Sequence, residues 1–389
     1  MKEPNIEFSI VMPCLNEAET LERCIVKAER SLARLKIAGE VVVADNGSTD
    51  GSIEIAQRLG ARVIHVAERG YGNALREGMT QARGKYLIMG DADDSYDFSA
   101  IDPFVEKLRV GIDLVMGCRL PQGGGTILPG AMPWLHYRIG NPVLSFLGRF
   151  FFHNRITDYH CGLRGLSAEA FRRLNLVTTG MEFASEMVIK ASLLHLNVDE
   201  IPITLHPAGR TRPAHLRTWR DGWRHLRFML LYSPQWLFLF PGMAMFICGV
   251  CLMSLLLRGP FVIGNVRLDL NTMLIAMLMI VTGYQMILFA FMIRSYITIH
   301  HLVPEAKPAR RTFAQRIMES GMRIGLLLFA ISTLAIGLAI LHWGQTGFGD
   351  LPPAIVRFII PTITLFFMGI FTVISAFFFE MLSLKIRNV

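Results

Sequence analysis

An α/β domain built on a mostly parallel sheet, followed by a helical membrane domain with four spans, is the fold class this sequence predicts. Three observations carry the prediction. Between Glu7 and Cys118 short β-branched runs alternate with helix-period patterns, the signature of parallel strands with helices on both faces. Beyond residue 235 four long stretches contain no Asp, Glu, Lys or Arg. The 389 residues are 52% apolar and only 18% charged, which excludes a purely water-soluble protein. The expected division is a cytosolic domain over residues 1–232 and a transmembrane domain over residues 233–389.

In chain order, strands are expected at Phe8 to Met12, Val41 to Ala44, Arg62 to Val66, Tyr86 to Met89 and Leu114 to Cys118. Helices are expected between them at Glu17 to Leu35, Ser52 to Leu59, Tyr71 to Thr80 and Ile101 to Val110. A sheet of this kind binds ligands beyond the carboxyl ends of its strands. The polar clusters fall there: Asn16 and Glu17 after the first strand, Asp45 to Gly51 after the second, Gly90 to Asp97 after the fourth. The Gly- and Pro-rich stretch from Leu120 to Pro133 follows the fifth strand, and a mobile loop over the site is expected there.

The four spans are Trp236 to Leu257, Asn271 to Ile293, Ile324 to His342 and Phe358 to Phe379. A helix needs about 20 residues to cross about 30 Å of hydrocarbon. The short apolar run Phe8 to Met12 is followed by Asn16, Glu17 and Glu19 rather than a small-residue cleavage site, so no signal peptide is expected and the first half stays in the cytosol. Lys and Arg are retained on the cytoplasmic side. Arg210, Arg212, Arg217, Arg220, Arg224 and Arg227 precede the first span; Arg294, Lys307, Arg310, Arg311, Arg316 and Arg323 lie between spans two and three; Lys385 and Arg387 follow the fourth. Only Arg258, Arg267 and Arg357 fall on the other side. An integral, multi-pass protein of a bacterial-type inner membrane, with both termini cytoplasmic, follows.

Residues 215–232 mix Trp219, Trp223, Leu226 and Phe228 with arginines, the composition of an interfacial helix on anionic headgroups; residues 134–152 have a similar character. The formal charge of +8, from 39 Lys and Arg against 31 Asp and Glu, points to an anionic partner. Six cysteines are spread along the chain, and the close pair Cys248 and Cys251 lies in an apolar run, so all six are read as reduced structural residues.

The sharpest motif is Gly90-Asp91-Ala92-Asp93-Asp94-Ser95-Tyr96-Asp97. Carboxylates this dense repel one another unless a cation or helix N-terminus compensates them, so a divalent metal on oxygen ligands is expected, against an acidic cap on the helix near Ile101. An EF-hand is excluded, because Tyr96 stands where Gly is needed and Asp102 where the bidentate Glu is needed. Asp45 to Gly51 reads equally as an Asx turn with an N-cap. Gly70 and Gly72 permit close backbone approach to a ligand, but the segment is not GxGxxG and has no Walker lysine. The histidines, including His300 and His301, show no metal-ligand spacing, and no GxSxG elbow is present.

Taken together, Pro13-Cys14-Leu15-Asn16-Glu17, Asp45 to Gly51, Gly70 to Ala74, Asp91-Ala92-Asp93, Gly117-Cys118-Arg119 and Asp158 to Arg164 resemble the family 2 glycosyltransferases of the Rossmann-like GT-A fold. Within them the chain looks like the dolichyl- or polyprenyl-phosphate glucose and mannose synthases, over roughly residues 6–230. The resemblance implies that Pro13, Asn16, Glu17, Asp45, Gly70, Gly72 and Asp91 bind the nucleotide sugar, with Arg210 and Arg212 closing over its diphosphate. It implies that Asp91 and Asp93 form a DxD motif that holds the metal, Mg2+ or Mn2+. Arg119 and Arg138 match arginines that hold the acceptor phosphate and join the two aspartates as catalytic candidates; Asp158, Gly162, Arg164, Glu182 and Glu186 match the region facing sugar and acceptor. Two departures stand out. Ser95 occupies a position where the mannosyl branch commonly has Gln, leaving Asp94 or Asp97 as candidates for a third metal ligand; a Ser-Lys pair reads Thr211-Arg212, followed by Pro213.

The implied reaction transfers a hexose from UDP-glucose or GDP-mannose to polyprenyl phosphate with inversion, and the Ser95 departure leans towards UDP-glucose. Nucleotide sugar, polyprenyl phosphate and membrane are the expected partners; nucleic acid is not, and a homo-oligomer is left open. A processive polysaccharide synthase is the alternative enzyme, but its Gln-x-x-Arg-Trp signature is absent, Thr218-Trp219-Arg220-Asp221 not matching. A lipid-carrier transporter or a non-catalytic nucleotide-sugar-binding scaffold is the alternative from another class, and the uncharged spans argue against a polar pathway through the membrane.

Overall fold

The computed structural model describes residues 6–211, 218–299 and 308–383. Its contacts divide the chain into two compact units, Met1–Met229 and Leu230–Val389.

In the first unit β1 (Phe8–Cys14), α1 (Leu21–Arg34), β2 (Gly39–Asp45), α2 (Ser52–Arg58), β3 (Arg62–His65), α3 (Tyr71–Gln81), β4 (Tyr86–Met89), α4 (Asp102–Arg109) and β5 (Leu114–Cys118) follow the alternation expected from the sequence. There follow β6 (Thr126–Ile127), α5 (Asn141–Phe152), β7 (Arg164–Ser167), α6 (Ala168–Leu174), α7 (Phe183–Leu193), β8 (Val198–Pro202), β9 (Thr204–Leu205) and α8 (Thr218–Tyr232). The main sheet runs β3-β2-β1-β4-β7-β5-β8. It is parallel except for β7, which runs antiparallel between β4 and β5. Buried strand residues such as Phe8, Ile10, Val43, Ile88 and Val115 pack with Leu21, Ile25, Phe98 and Phe104 into one core. The chain passes from β1 outward to β2 and β3, then back to β4 on the other side, so the switch point lies between β1 and β4.

The Leu120–Pro133 stretch is fastened rather than free. β6 pairs with β9, the Thr126 and Leu128 amides donate to the Ile203 and Leu205 carbonyls, each at 3.0 Å, and Gly125 donates to Leu120 at 3.1 Å. A run this rich in Gly and Pro reads as a loop, and the partner strand that holds it lies some 80 residues on, beyond reach of local patterning.

α8 has an unexpected polarity. Its buried face carries Asp221, His225 and Met229, spaced four apart, while Trp219 and Trp223 stand outward at 82% and 60% exposure. α5 likewise buries Ser145, Gly148 and Phe152 and exposes Val143, Phe146 and Phe150. A five-residue π-helical turn, His136–Gly140, precedes it, so residues 134–152 are not one regular helix.

The second unit begins with the end of α8 and continues through α9 (Phe240–Leu257), a hairpin of β10 (Phe261–Ile263) and β11 (Val266–Leu268), α10 (Leu270–Ile299), α11 (Pro308–Gln345) and α12 (Pro353–Ser383). Four segments are long and apolar enough to cross a bilayer: Gln235–Leu257, Leu270–Ile297, Ser320–Gln345 and Pro353–Met381. Each contains a span expected from the sequence. Large apolar side chains on them, Leu334, Leu341 and Phe377 among them, are more than half exposed, as lipid contact requires. Where helices meet, glycine lets the backbones close: a Cβ on Gly283 would lie 2.6 Å from the Gly242 carbonyl oxygen, and one on Gly369 2.7 Å from the Phe329 nitrogen. The protein is thus an integral membrane protein whose first unit is an α/β domain on a mostly parallel sheet.

Candidate active site

Three loops meet at the carboxyl ends of β1, β2 and β4. Asp45 ends β2 and folds its loop as an Asx turn, its carboxylate accepting from the Gly47 and Ser48 amides, each at 3.1 Å. Pro13 stands beside Ala44 in the sheet register. Asn16, in the left-handed region at φ 59°, accepts from the Thr49 amide at 2.7 Å and donates its own amide to the Ser48 hydroxyl at 2.9 Å. The Glu17 amide donates to the Ser52 hydroxyl at 2.9 Å. The β1 and β2 loops are therefore sewn together by side chains. Thr20 joins the β4 loop to them, donating to the Ala92 carbonyl at 2.7 Å.

The acidic cluster after β4 is compensated group by group. Asp94, left-handed at φ 63°, and Asp97 face Lys27 of α1 at 2.8 and 3.6 Å, and Arg23 lies 3.6 Å from Asp94. Asp97 also caps the short turn Phe98–Ala100 through the Ser99 amide. Both expected candidates for a third metal ligand are thus turned to α1, because a lysine on that helix neutralises them locally. Asp93 takes Ser95 on one oxygen, with the hydroxyl at 2.5 Å and the amide at 3.1 Å, and Arg210 on the other at 3.1 Å. The same guanidinium reaches Glu17 at 2.8 Å. Asp91 accepts from the neutral Tyr71 hydroxyl at 2.9 Å. Burial and the neighbouring Asp93 push its carboxyl up to about 7.

Gly70 and Gly72 bring backbones together, but the partner is protein. A Cβ on Gly70 would lie 2.2 Å from the Thr179 carbonyl oxygen, and one on Gly72 2.4 Å from that of Thr178. The Gly72 amide donates to Thr179 at 3.0 Å. Their freedom from a side chain is spent on the segment entering α7, correcting the expectation of a close approach to ligand.

On the other side of Asp91, Arg119 is buried and bonds Asp158 bidentately, Nε at 2.7 Å and Nη2 at 2.9 Å, with its amide donating to the same carboxylate at 3.1 Å. Glu200 of β8 holds this turn from beneath, accepting from the Thr157 and Asp158 amides. Tyr96 completes it, its hydroxyl accepting from Gly162 at 2.8 Å and lying 3.5 Å from Arg119. A Cβ on Gly162 would meet Asp91 Oδ2 at 2.8 Å. His136, in the π-helical turn, is held below its usual value by burial and by the charge of Arg119.

Three expected acceptor-facing residues, Arg164, Glu186 and Glu182, lie against protein. Arg164 is fully buried and donates to the Cys161, Ala184 and Tyr159 carbonyls at 2.7, 2.6 and 2.9 Å, so it ties β7 to the start of α7. Glu186, also fully buried, pairs with Lys190 at 2.7 Å and caps the Val177 and Thr178 amides. Glu182 stands at the N-cap of α7, its carboxylate beside Gly180. Arg138 is exposed in the π-helical turn with its guanidinium 5.0 Å from the Tyr137 ring centroid. Arg212 lies outside the described residues. Motif matching could not separate ligand-facing groups from those that build the wall behind them. It also passed over Tyr71, Tyr96 and Glu200; a buried Tyr beside clustered acids was the available signal for Tyr96.

The donor set fits a divalent cation. Asp91 and Asp93 offer hard oxygen ligands two residues apart at the end of β4, and burial followed by the neighbouring Asp93 raises the Asp91 carboxyl. Among the described residues no three His, Cys, Asp or Glu side chains converge on one ion, so a metal here would take its remaining ligands from substrate and water.

Comparison with known proteins accords with this geometry. The description "Glycosyl transferase family 2" matches residues 9–174, and "Glycosyltransferase family 2 C-terminal transmembrane region" matches residues 292–383. The low-salt glycan biosynthesis hexosyltransferase Agl6 of Haloferax volcanii is 38% identical over 350 residues, 90% of this chain and 83% of that protein. A dolichyl-phosphate hexose transferase from the same organism is 28% identical over 207 residues, 53% of this chain and 86% of that protein. Among solved structures, glucosyl-3-phosphoglycerate synthase from Mycobacterium tuberculosis, in complex with Mn2+ and UDP-glucose, aligns with a TM-score of 0.46 at 19% identity over 59% of this chain and 79% of that one. With a hexosyltransferase matching along nearly its whole length and the family's membrane region following the catalytic fold, the chain belongs to glycosyl transferase family 2 and is a membrane-bound glycosyltransferase.

Proposed function

We propose that this glycosyltransferase moves a hexose from a nucleotide sugar, UDP-glucose or GDP-mannose, to polyprenyl phosphate at the cytoplasmic face of the membrane, with inversion at the anomeric carbon. The observation that carries the reading is the convergence of Glu17, the Asp45 turn, Asp91 and Asp93 at the switch point between β1 and β4, where open α/β sheets bind nucleotides. The relatedness to a dolichyl-phosphate hexose transferase supports a lipid phosphate as acceptor.

In this reading the Asp45 turn and Pro13 form the floor for base and ribose, and Arg210 is the cation nearest the leaving diphosphate. Asp91 and Asp93 would hold a divalent ion, Mg2+ or Mn2+, whose charge offsets that developing on the diphosphate. A lipid phosphate is already ionised at neutral pH, so no strong general base is needed at the attacking oxygen. What the acceptor needs is fixed positive charge. Arg138, exposed and backed by Tyr137, supplies it, while Arg119, its charge offset by Asp158, sets the position of the turn between Asp91 and the acceptor.

Membranes containing the protein, given labelled sugar nucleotide and polyprenyl phosphate, should yield a lipid-linked sugar only when Mg2+ or Mn2+ is supplied. An Asp93→Ala variant should lose on the order of 100-fold or more in turnover. Arg138→Ala should raise the apparent KM for the lipid and spare donor binding. Product from neither nucleotide sugar, or full activity in Asp93→Ala, overturns the reading.

A further inference from the structure

Asp93 is faced in this structure by an arginine on a strap. Residues 206–211 cross the β4 loop and are fastened to it at several points. The His206 amide donates to the Ser95 carbonyl at 3.0 Å, the Gly209 amide to the Asp93 carbonyl at 2.9 Å, and Arg23 of α1 to the Gly209 carbonyl at 3.3 Å. Thr211 closes the strap on Glu19, its amide and its hydroxyl each 2.6 Å from that carboxylate. Arg210, between these fastenings, bridges Glu17 and Asp93. Ser95 already holds the other oxygen of Asp93, so Oδ2 is the oxygen left to face a cation, and the guanidinium stands there at 3.1 Å.

A hard divalent ion binds a carboxylate oxygen at about 2.0 to 2.6 Å. An ion so close to Oδ2 would crowd the Arg210 nitrogen and repel it, since both carry positive charge. That oxygen has two lone pairs, so what sets the two cations against each other is charge: each weakens the other's hold on it. We infer that Arg210 is a built-in counterion that holds Asp93 in the absence of metal, competes with the divalent ion for it, and is freed towards the donor diphosphate when the ion binds. The Glu19–Thr211 clasp sets how firmly the strap presents it. Binding by a placeholder in this way lowers the affinity of the bare metal while leaving a charged arm poised for the metal–nucleotide complex, because a ligand that must displace an internal contact loses that contact's free energy.

The inference rests on the proposed metal-dependent reading of the site, and the test separates the two. Mn2+ binding to the full-length protein in nanodiscs, without nucleotide, is followed by the loss of the free-ion electron paramagnetic resonance signal. Arg210→Ala should bind Mn2+ about 10-fold more tightly than the parent, on the strength of a largely buried ion pair. Glu19→Gln, which loosens the clasp and keeps Arg210, should move affinity the same way by a smaller factor, and Arg210→Lys should stay near the parent. Equal or weaker Mn2+ binding in both Arg210→Ala and Glu19→Gln, with Asp93→Ala abolishing it in the parent, overturns the counterion role and leaves the metal reading standing. Mn2+ binding that survives Asp93→Ala, or none in any form, overturns both.

Discussion

At the scale of single residues, the clearest consequence concerns Arg119 and Asp158, which the motif assigns to a ligand and the structure pairs with each other. Removing one member of a buried pair strands the other's charge, at about 3–5 kcal/mol. Asp158→Ala should therefore lower the thermal unfolding temperature sharply, and Arg119→Met added to it should recover part of the loss. A role confined to acceptor binding predicts a change in KM with unaltered stability. Gly72→Ala places a methyl group against the Thr178 carbonyl and should cost about 1–3 kcal/mol, read in the same melting experiment. The sequence shows that the carboxylates cluster after β4. It cannot show that Lys27, more than 60 positions earlier, would neutralise two of them, since that pairing arises only when α1 packs beside the β4 loop.

At the scale of elements, α8 is held by chemistry its pattern hides. Its buried His225 places Nδ1 2.8 Å from the Ser185 hydroxyl of α7, which also lies 3.4 Å from His160, and the two imidazole rings meet edge to face. Burial pushes His225 down to about 4, against partial opposition from Asp221, and burial with the neighbouring His225 also depresses His160. Both are neutral in the fold and free to protonate near pH 6.5 once exposed, so the native state binds fewer protons than the unfolded chain below that pH. The stabilisation from His225, about 3 kcal/mol, is complete above about pH 6.5 and is lost as the pH falls towards 4. Melting followed by Trp219 and Trp223 fluorescence should thus drop in temperature between pH 7 and 5. His225→Gln should flatten part of that slope. An arginine- and tryptophan-rich segment reads as an interfacial helix; that Asp221 and His225 take its buried face depends on α7 offering Ser185, which no local pattern contains.

At the scale of the whole molecule, we propose from the basic bias of the chain between spans two and three that this connection and the catalytic domain lie on one side of the membrane and the β10–β11 hairpin on the other. A single-cysteine protein with Val262→Cys, exposed in that hairpin, should react with a membrane-impermeant maleimide in intact cells, and one with Ser99→Cys in the catalytic domain only after lysis. The reverse pattern would invert the topology. By itself the sequence determined the strand–helix alternation through β5, the four apolar helices, the loops that carry the polar clusters and the family, because each is written in short-range periodicity, span length or contiguous motif. Tertiary structure alone decided that β7 enters antiparallel between β4 and β5, that Arg164 and Glu186 build the wall rather than face the cleft, and that Arg210 lands on Asp93. Those outcomes join residues tens to more than a hundred positions apart, where the partner of a charge is fixed by packing and not by its neighbours in the chain.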